Sequence, residues 1–273
     1  MRRSVAGALV LGGAVAVFAT VMLAQSRGWL SVDEAPGRAL TQPLRLAATA
    51  PGSYEQLLLA LRIHHYRPKP RGQARFRDVF YDTPGWTLYR HGYSYRFRTR
   101  LEGSGGSRYS LRLEREPRFT PTGSTKLELT ADLPDDLGAA IEAGAWEHGV
   151  PQPAVEPAER LRAVLRELDL EPAELGARLV AELERERVDV SDKGQDWFEL
   201  DHEAWNFRPM NSADDAPAVS FEDVVIDTRL AGQDPELVRR VGSMRQLVGM
   251  LHGIRLLERA PHERAIEALD PEA

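Results

Sequence analysis

Cysteine is absent from the 273 residues. That excludes disulfides, thiolate nucleophiles and cysteine-ligated zinc, and it is compatible with an oxidising compartment without requiring one. An excess of positive charge is also lacking. The formal net charge is −6 at pH 7, so the molecule as a whole is not built to coat nucleic acid, and no nucleic-acid partner is expected. Any anion site must be a local concentration of arginine and lysine inside an acidic protein. No internal repeat is visible. What is present is a globular composition, 42% hydrophobic and 28% charged, over a length that suits one large domain or two small ones.

The one long apolar run lies at the start. Arg2 and Arg3 precede an uncharged stretch over residues 4–26, long enough to span a bilayer at about 20 residues. The flanking arginines predict a cytoplasmic N-terminus with the rest exported to the periplasmic or extracellular side. A transmembrane anchor and a cleavable signal peptide, with the domain then secreted, both fit residues 1–26. Residues 27–42 read as a linker, 43–268 as the folded domain and 269–273 as a tail. The prolines and six basic residues of 62–77 read as a basic loop: a solvated connection, a mouth that attracts anions, or a contact with lipid headgroups.

Periodicity predicts a short strand at 44–49 and a helix from Ser53, then strands at 76–81, 93–100, 109–114 and 124–133. Helices follow at 137–146 and 157–168, strands at 179–190, 197–201 and 219–230, and a final helix at 235–259. That order suggests α+β rather than alternating βαβ. The predicted strands share a feature. One face is apolar and the other carries charges of both signs: Arg96 and Arg98, Arg112 and Glu114, Lys126 and Glu128, Arg185 and Arg187, Glu199 and Asp201, Asp223 and Asp227. A sheet with one wet face would show this. So would an antiparallel barrel with a polar, charged lumen and helices packed outside, which is the expected architecture.

Arginines at alternate positions of one strand suit phosphate oxygens, because guanidinium makes bidentate, charge-assisted bonds to them. Carboxylates on neighbouring strands suit Mg²⁺ or Mn²⁺. The expected phosphate-binding set is Arg96, Arg98, Arg112, Lys126, Arg185 and Arg187. The expected metal ligands are Glu128, Asp201, Asp223 and Asp227.

Tyr81-Asp82-Thr83-Pro84, Leu88, Gly92 and Ser94-Tyr95-Arg96-Phe97-Arg98 resemble the YFDTP…L…G-S-L-R-I-R signature of the CYTH superfamily. These are the triphosphate tunnel metalloenzymes and the related VTC-type polyphosphate polymerase domains. The order of the later strands fits over roughly residues 42–268. The resemblance implies a tunnel fold that takes a triphosphate or polyphosphate. The departures are specific. The first strand of the family opens E-x-E-x-K; here Pro43-Leu44-Arg45-Leu46-Ala47-Ala48 holds no carboxylate. Val225 stands where the late acidic strand has a central glutamate, and Ala260-Pro261 replaces a Ser-Lys pair. The metal-holding half is thinned more than the anion-holding half. Two functions therefore compete: a non-catalytic module that binds a polyanion or serves as a scaffold for a protein partner, and a metal-dependent phosphohydrolase or polyphosphate-processing enzyme.

Overall fold

The computed structural model describes residues 44–103, 107–115, 127–144, 155–210, 217–227, 246–257 and 259–273. The anchor and linker at 1–42, Lys126 and residues 235–245 and 258 of the helix expected at 235–259 lie outside the described residues. Among the described residues no helix is long and apolar enough to cross a membrane.

Among the described residues nine strands form one antiparallel sheet: β1 (Leu44–Ala48), β2 (Arg67–Asp82), β3 (Tyr93–Glu102), β4 (Tyr109–Arg115), β5 (Leu127–Leu133), β6 (Gly176–Asp192), β7 (Gln195–Pro209), β8 (Val219–Asp227) and β9 (Ile254–Leu256). Their order across the sheet is β5-β4-β3-β2-β6-β7-β8-β1-β9. The helices are α1 (Ser53–Ile63), the single turn α2 (Thr87–Arg90), α3 (Asp135–Glu142), α4 (Glu156–Glu167) and α5 (Pro261–Leu269), with a short 3₁₀ turn at Pro172–Glu174. The α+β class is as expected. The closed barrel is not found: β5 and β9 are the two edges, and no ladder joins them among the described residues.

Register explains the two-sided strand pattern. Phe80 faces Arg96, Arg96 faces Arg112 and Arg112 faces Thr130, so these residues share one face. On the other side of β2, Arg185 faces Glu203 and Glu203 faces Asp223. All the charged pairs singled out on described strands fall on this inner face. The outer face is apolar and covered by helices over β3 and β4 and again beneath α1, while between them Glu182, Glu184 and Asn206 of β6 and β7 are exposed. Tyr95, Phe97, Leu111 and Leu113 pack there on Leu161, Val164 and Leu165 of α4 and Ile141 of α3. Farther along, α1 buries Leu57 and Leu61, and its Tyr54 ring stacks on His202 of β7 at 3.9 Å. Burial at about 25 cal/mol per Å² of apolar surface drives both contacts.

Three local readings are corrected. Residues 67–77 are not a loop but the first part of the long strand β2. Proline usually excludes a paired strand, but Pro68 and Pro70 lie where β2 pairs only with β6, since β3 begins its pairing at Arg75. The ladder also shifts register between Pro70 and Gly72. The helix expected to run to 259 has stopped before β9. Gly253 takes φ +80, which a helix cannot contain, and a Cβ there would lie 2.4 Å from Ser53 Oγ. Finally, helix α5 packs on the inner face, not outside. Its Ala265 and Ile266 join Phe76, Phe80, Leu183, Trp205 and Phe207 in a second core. Part of the expected polar lumen is therefore an apolar seat for a helix.

Candidate functional site

The motif that prompted the family resemblance builds a turn. The buried Asp82 carboxylate accepts the backbone N–H groups of Thr83 (2.7 Å) and Leu88 (2.9 Å) on Oδ1 and of Tyr89 (2.9 Å) on Oδ2. Thr83 Oγ1 accepts the N–H of Thr87 at 3.0 Å. Side-chain oxygens thus satisfy the otherwise orphaned amides that begin a helical turn. Burial pushes the Asp82 carboxyl up against the pull of those amides. The turn sets the start of β3, and with it the phase of Arg96 and Arg98.

At the centre of the inner face, Asp78 is fully buried between those two arginines. Arg98 donates Nε to Oδ1 at 2.6 Å and Nη2 to Oδ2 at 2.7 Å, the bidentate geometry; Arg96 donates Nη1 to Oδ2 at 3.0 Å. Burial alone would raise the Asp78 carboxyl, but Arg98 and Arg96 outweigh it and hold the group below the usual carboxylate range. Arg96 is itself only 7% exposed. Burial draws its guanidinium down to about 10 despite Glu114 and Asp78 nearby, and its Nε has no acceptor among the described residues. Arg98 and Arg185 both lie over the Phe76 ring, at 4.7 and 4.8 Å.

A second cluster joins β1, β7, β8 and α5. Arg45 Nη1 donates to Glu203 Oε2 at 2.9 Å and to Asp223 Oδ2 at 3.3 Å. Arg264 Nη2 donates to the same Asp223 oxygen at 2.5 Å. Trp205 Nε1 gives Glu203 a further bond at 3.0 Å. Burial raises Glu203, but Arg45 and the two hydrogen bonds bring it below the ordinary value. For Asp223 burial prevails over Arg264 and Arg45, and its carboxyl is raised.

The remaining candidates are also paired. Arg112 donates to Thr130 (2.9 Å) and to Glu114 (3.2 Å) and stands 3.7 Å from Glu128. Arg187 Nε reaches Asp201 at 3.2 Å and Glu199 at 3.1 Å, while Arg185 lies 3.7 Å from Asp201. Asp227 faces Glu199 across the β7–β8 ladder. The structure thus gathers Arg96, Arg98, Arg112, Arg185, Arg187, Glu128, Asp201, Asp223 and Asp227 on one face. Sequence reading missed Asp78, Glu203, Arg45, Arg264 and His262. A signal existed for two of them: Asp78 alternates between Phe76 and Phe80, and Arg45 interrupts an apolar strand.

The expected metal ligands do not fit a divalent ion. Mg²⁺ and Mn²⁺ need several oxygens directed at one point. Asp201 faces two arginines, Asp223 two others, and Glu128 lies beside Arg112. Among the described residues no group of three His, Asp or Glu side chains is disposed to hold a metal.

No protein-family profile matches the sequence, and no curated protein matches it. Solved structures do. The adenylyl cyclase candidate HpAC1 from Hippeastrum, described as having a dominant triphosphatase activity, superposes with a TM-score of 0.52 at 14% identity, over 83% of this chain and 95% of its own. The chain has the CYTH fold. An adenylate cyclase candidate from Bacillus halodurans gives a TM-score of 0.48 at 13% identity, over 81% and 95%. At such identities the CYTH likeness concerns fold and not activity.

Proposed function

We propose that this chain is a non-catalytic binding or scaffolding module built on the CYTH fold, with the inner face as one wall of a tunnel. The observation that carries the reading is Arg45 Nη1, bonded to Glu203 and Asp223 at once. A fixed guanidinium stands between two cross-strand carboxylates, the place a mobile cation would take. It comes from the strand that lacks the carboxylates of the E-x-E-x-K pattern. With that exchange, metal-assisted phosphoryl chemistry loses its ion.

The ligand is a polyanion such as polyphosphate. Arg112, Arg185 and Arg187 keep 29%, 22% and 36% of their side chains open to solvent and offer donors on the inner face of the sheet. Arg96 and Arg98 stand behind them, committed to Asp78. The apolar run 4–26 would hold the module at a membrane with the domain outside the cytoplasm. A protein partner would suit the scaffolding role.

The test is the melting temperature of the full-length protein with tripolyphosphate, with and without Mg²⁺ or Mn²⁺. A ligand at 100 times its dissociation constant stabilises by about 2.7 kcal/mol. A shift that needs no metal, is lost in Arg185→Gln/Arg187→Gln and comes without phosphate release supports the reading. No shift with any polyphosphate removes the polyanion and leaves the scaffold. The second reading, a metal-dependent triphosphatase, draws on the activity named for the Hippeastrum protein; phosphate release that depends on Mn²⁺ would establish it.

A further inference from the structure

The outer face holds a cavity of about 230 Å³, unconnected with the charged inner face. Val79, Phe97, Ile141 and Met210 give it apolar walls, and Arg77 and Thr99 bring polar groups to it. Arg77 alternates with Asp78 along β2, so its guanidinium points away from the ion pairs described above. It takes no part in them. Its Nε is buried and has no acceptor among the described residues. A buried donor left without a partner costs about 1–3 kcal/mol, and a single cation against an apolar wall is an arrangement that an anion completes.

We propose that this cavity binds a small monocarboxylate with an apolar body. The head group follows from the guanidinium, which takes a carboxylate in two parallel bonds. The single charge follows from the rim. Glu142 stands there, its Oε2 accepting the Tyr109 hydroxyl at 2.9 Å, and the carbonyl end of α3 faces the same space at Ala143 and Gly144. A second negative charge would be repelled by both. Burial keeps the Tyr81 hydroxyl protonated and able to donate: its pKa is pushed up to about 12, with Arg77 opposing. The body follows from the walls and the volume. A dry cavity of about 150 Å³ accepts benzene, so this one has room for a phenyl ring on a short chain.

The probe is 3-phenylpropanoate, titrated calorimetrically into the full-length protein, with 3-phenylpropan-1-ol as its uncharged counterpart. The carboxylate is expected to bind with a dissociation constant below about 1 mM and more tightly than the alcohol by about tenfold. Arg77→Met removes that tenfold preference and leaves the alcohol's affinity as it was. Ala177→Leu, which fills the cavity from β6, abolishes binding of both. Arg77→Lys keeps the charge and part of the preference, so a Met variant that fails to fold still leaves a comparison. No saturable binding to the wild type, or an undiminished preference for the carboxylate in Arg77→Met, overturns the proposal. Neither result bears on polyphosphate binding at the inner face.

Discussion

Asp78→Asn is the most informative single change. It removes one negative charge from between two guanidiniums while keeping nearly the same shape. Arg96 is 7% exposed and Asp78 not at all, so water cannot take over the lost interaction. The amide offers Arg98 one acceptor in place of the two oxygens it holds at 2.6 and 2.7 Å, and it turns a donor towards a cation. Removing one partner of a buried ion pair costs about 3–5 kcal/mol, against a total stability of about 5–15 kcal/mol for an ordinary domain. Urea unfolding reads the loss as a lower midpoint at unchanged slope. Replacing the whole triad with apolar residues of similar size (Arg96→Met, Asp78→Leu, Arg98→Met) should cost less than the single change, because no charge is stranded. The acid limb supplies a second reading. The folded Asp78 carboxyl lies below its unfolded value, so its contribution is present at neutral pH and lost as pH falls through the depressed pKa. The variant should lose that part of the acid sensitivity. A cost under about 1 kcal/mol, the range of exposed pairs, would refute a buried triad.

Three further outcomes follow from other parts of the molecule. Gly138→Ala should lower the melting temperature by several degrees: the new Cβ would lie 2.1 Å from the Tyr109 ring, and overpacking of about 1–3 kcal/mol exceeds the helix-propensity gain of about 1 kcal/mol. His262 is stacked on Phe80 and buried, and burial lowers its pKa to about 4. The unfolded imidazole takes up a proton first as pH falls from about 6.5, so stability declines between there and pH 4, and His262→Phe should flatten that slope in denaturation curves at several pH values. Arg45→Ala should leave Glu203 and Asp223 facing each other with Asp223 still held by Arg264 and Glu203 by Trp205, lowering the midpoint in urea; added Mn²⁺ should restore part of the loss in the variant and none in the wild type.

The faces of the strands were legible because the side-chain period of a strand is two, and one alternation such as Arg96/Arg98 against Tyr95/Phe97 sets a whole strand. Pro84-Gly85 breaks the chain between β2 and β3, although the work of Asp82 and Thr83 in holding amides was not legible. Local pattern does not report long-range pairing, so β2 was cut short at its prolines: nothing near Pro68 shows that the strand on that side is missing. The same limit hid the ion pairs. Arg98 meets Asp78 from 20 residues away and Arg45 meets Asp223 from 178, so arginines that read as phosphate donors, and aspartates that read as metal ligands, turn out to hold one another. Helix α5 was missed for a related reason. Its apolar positions, Ala265, Ile266 and Leu269, are few, and their seat is built by β2, β6 and β7.

The proposed replacement of a divalent ion by arginine is tested most directly by titrating Mn²⁺ into the full-length protein and following the electron paramagnetic resonance of the free hexa-aquo ion. With Glu203 and Asp223 held by Arg45 and Arg264, the free-ion signal should rise in proportion to added Mn²⁺, with no saturable site tighter than about 1 mM. Uptake of one or two ions per chain at micromolar concentration, lost on mutation of Asp201 or Asp223, would contradict it.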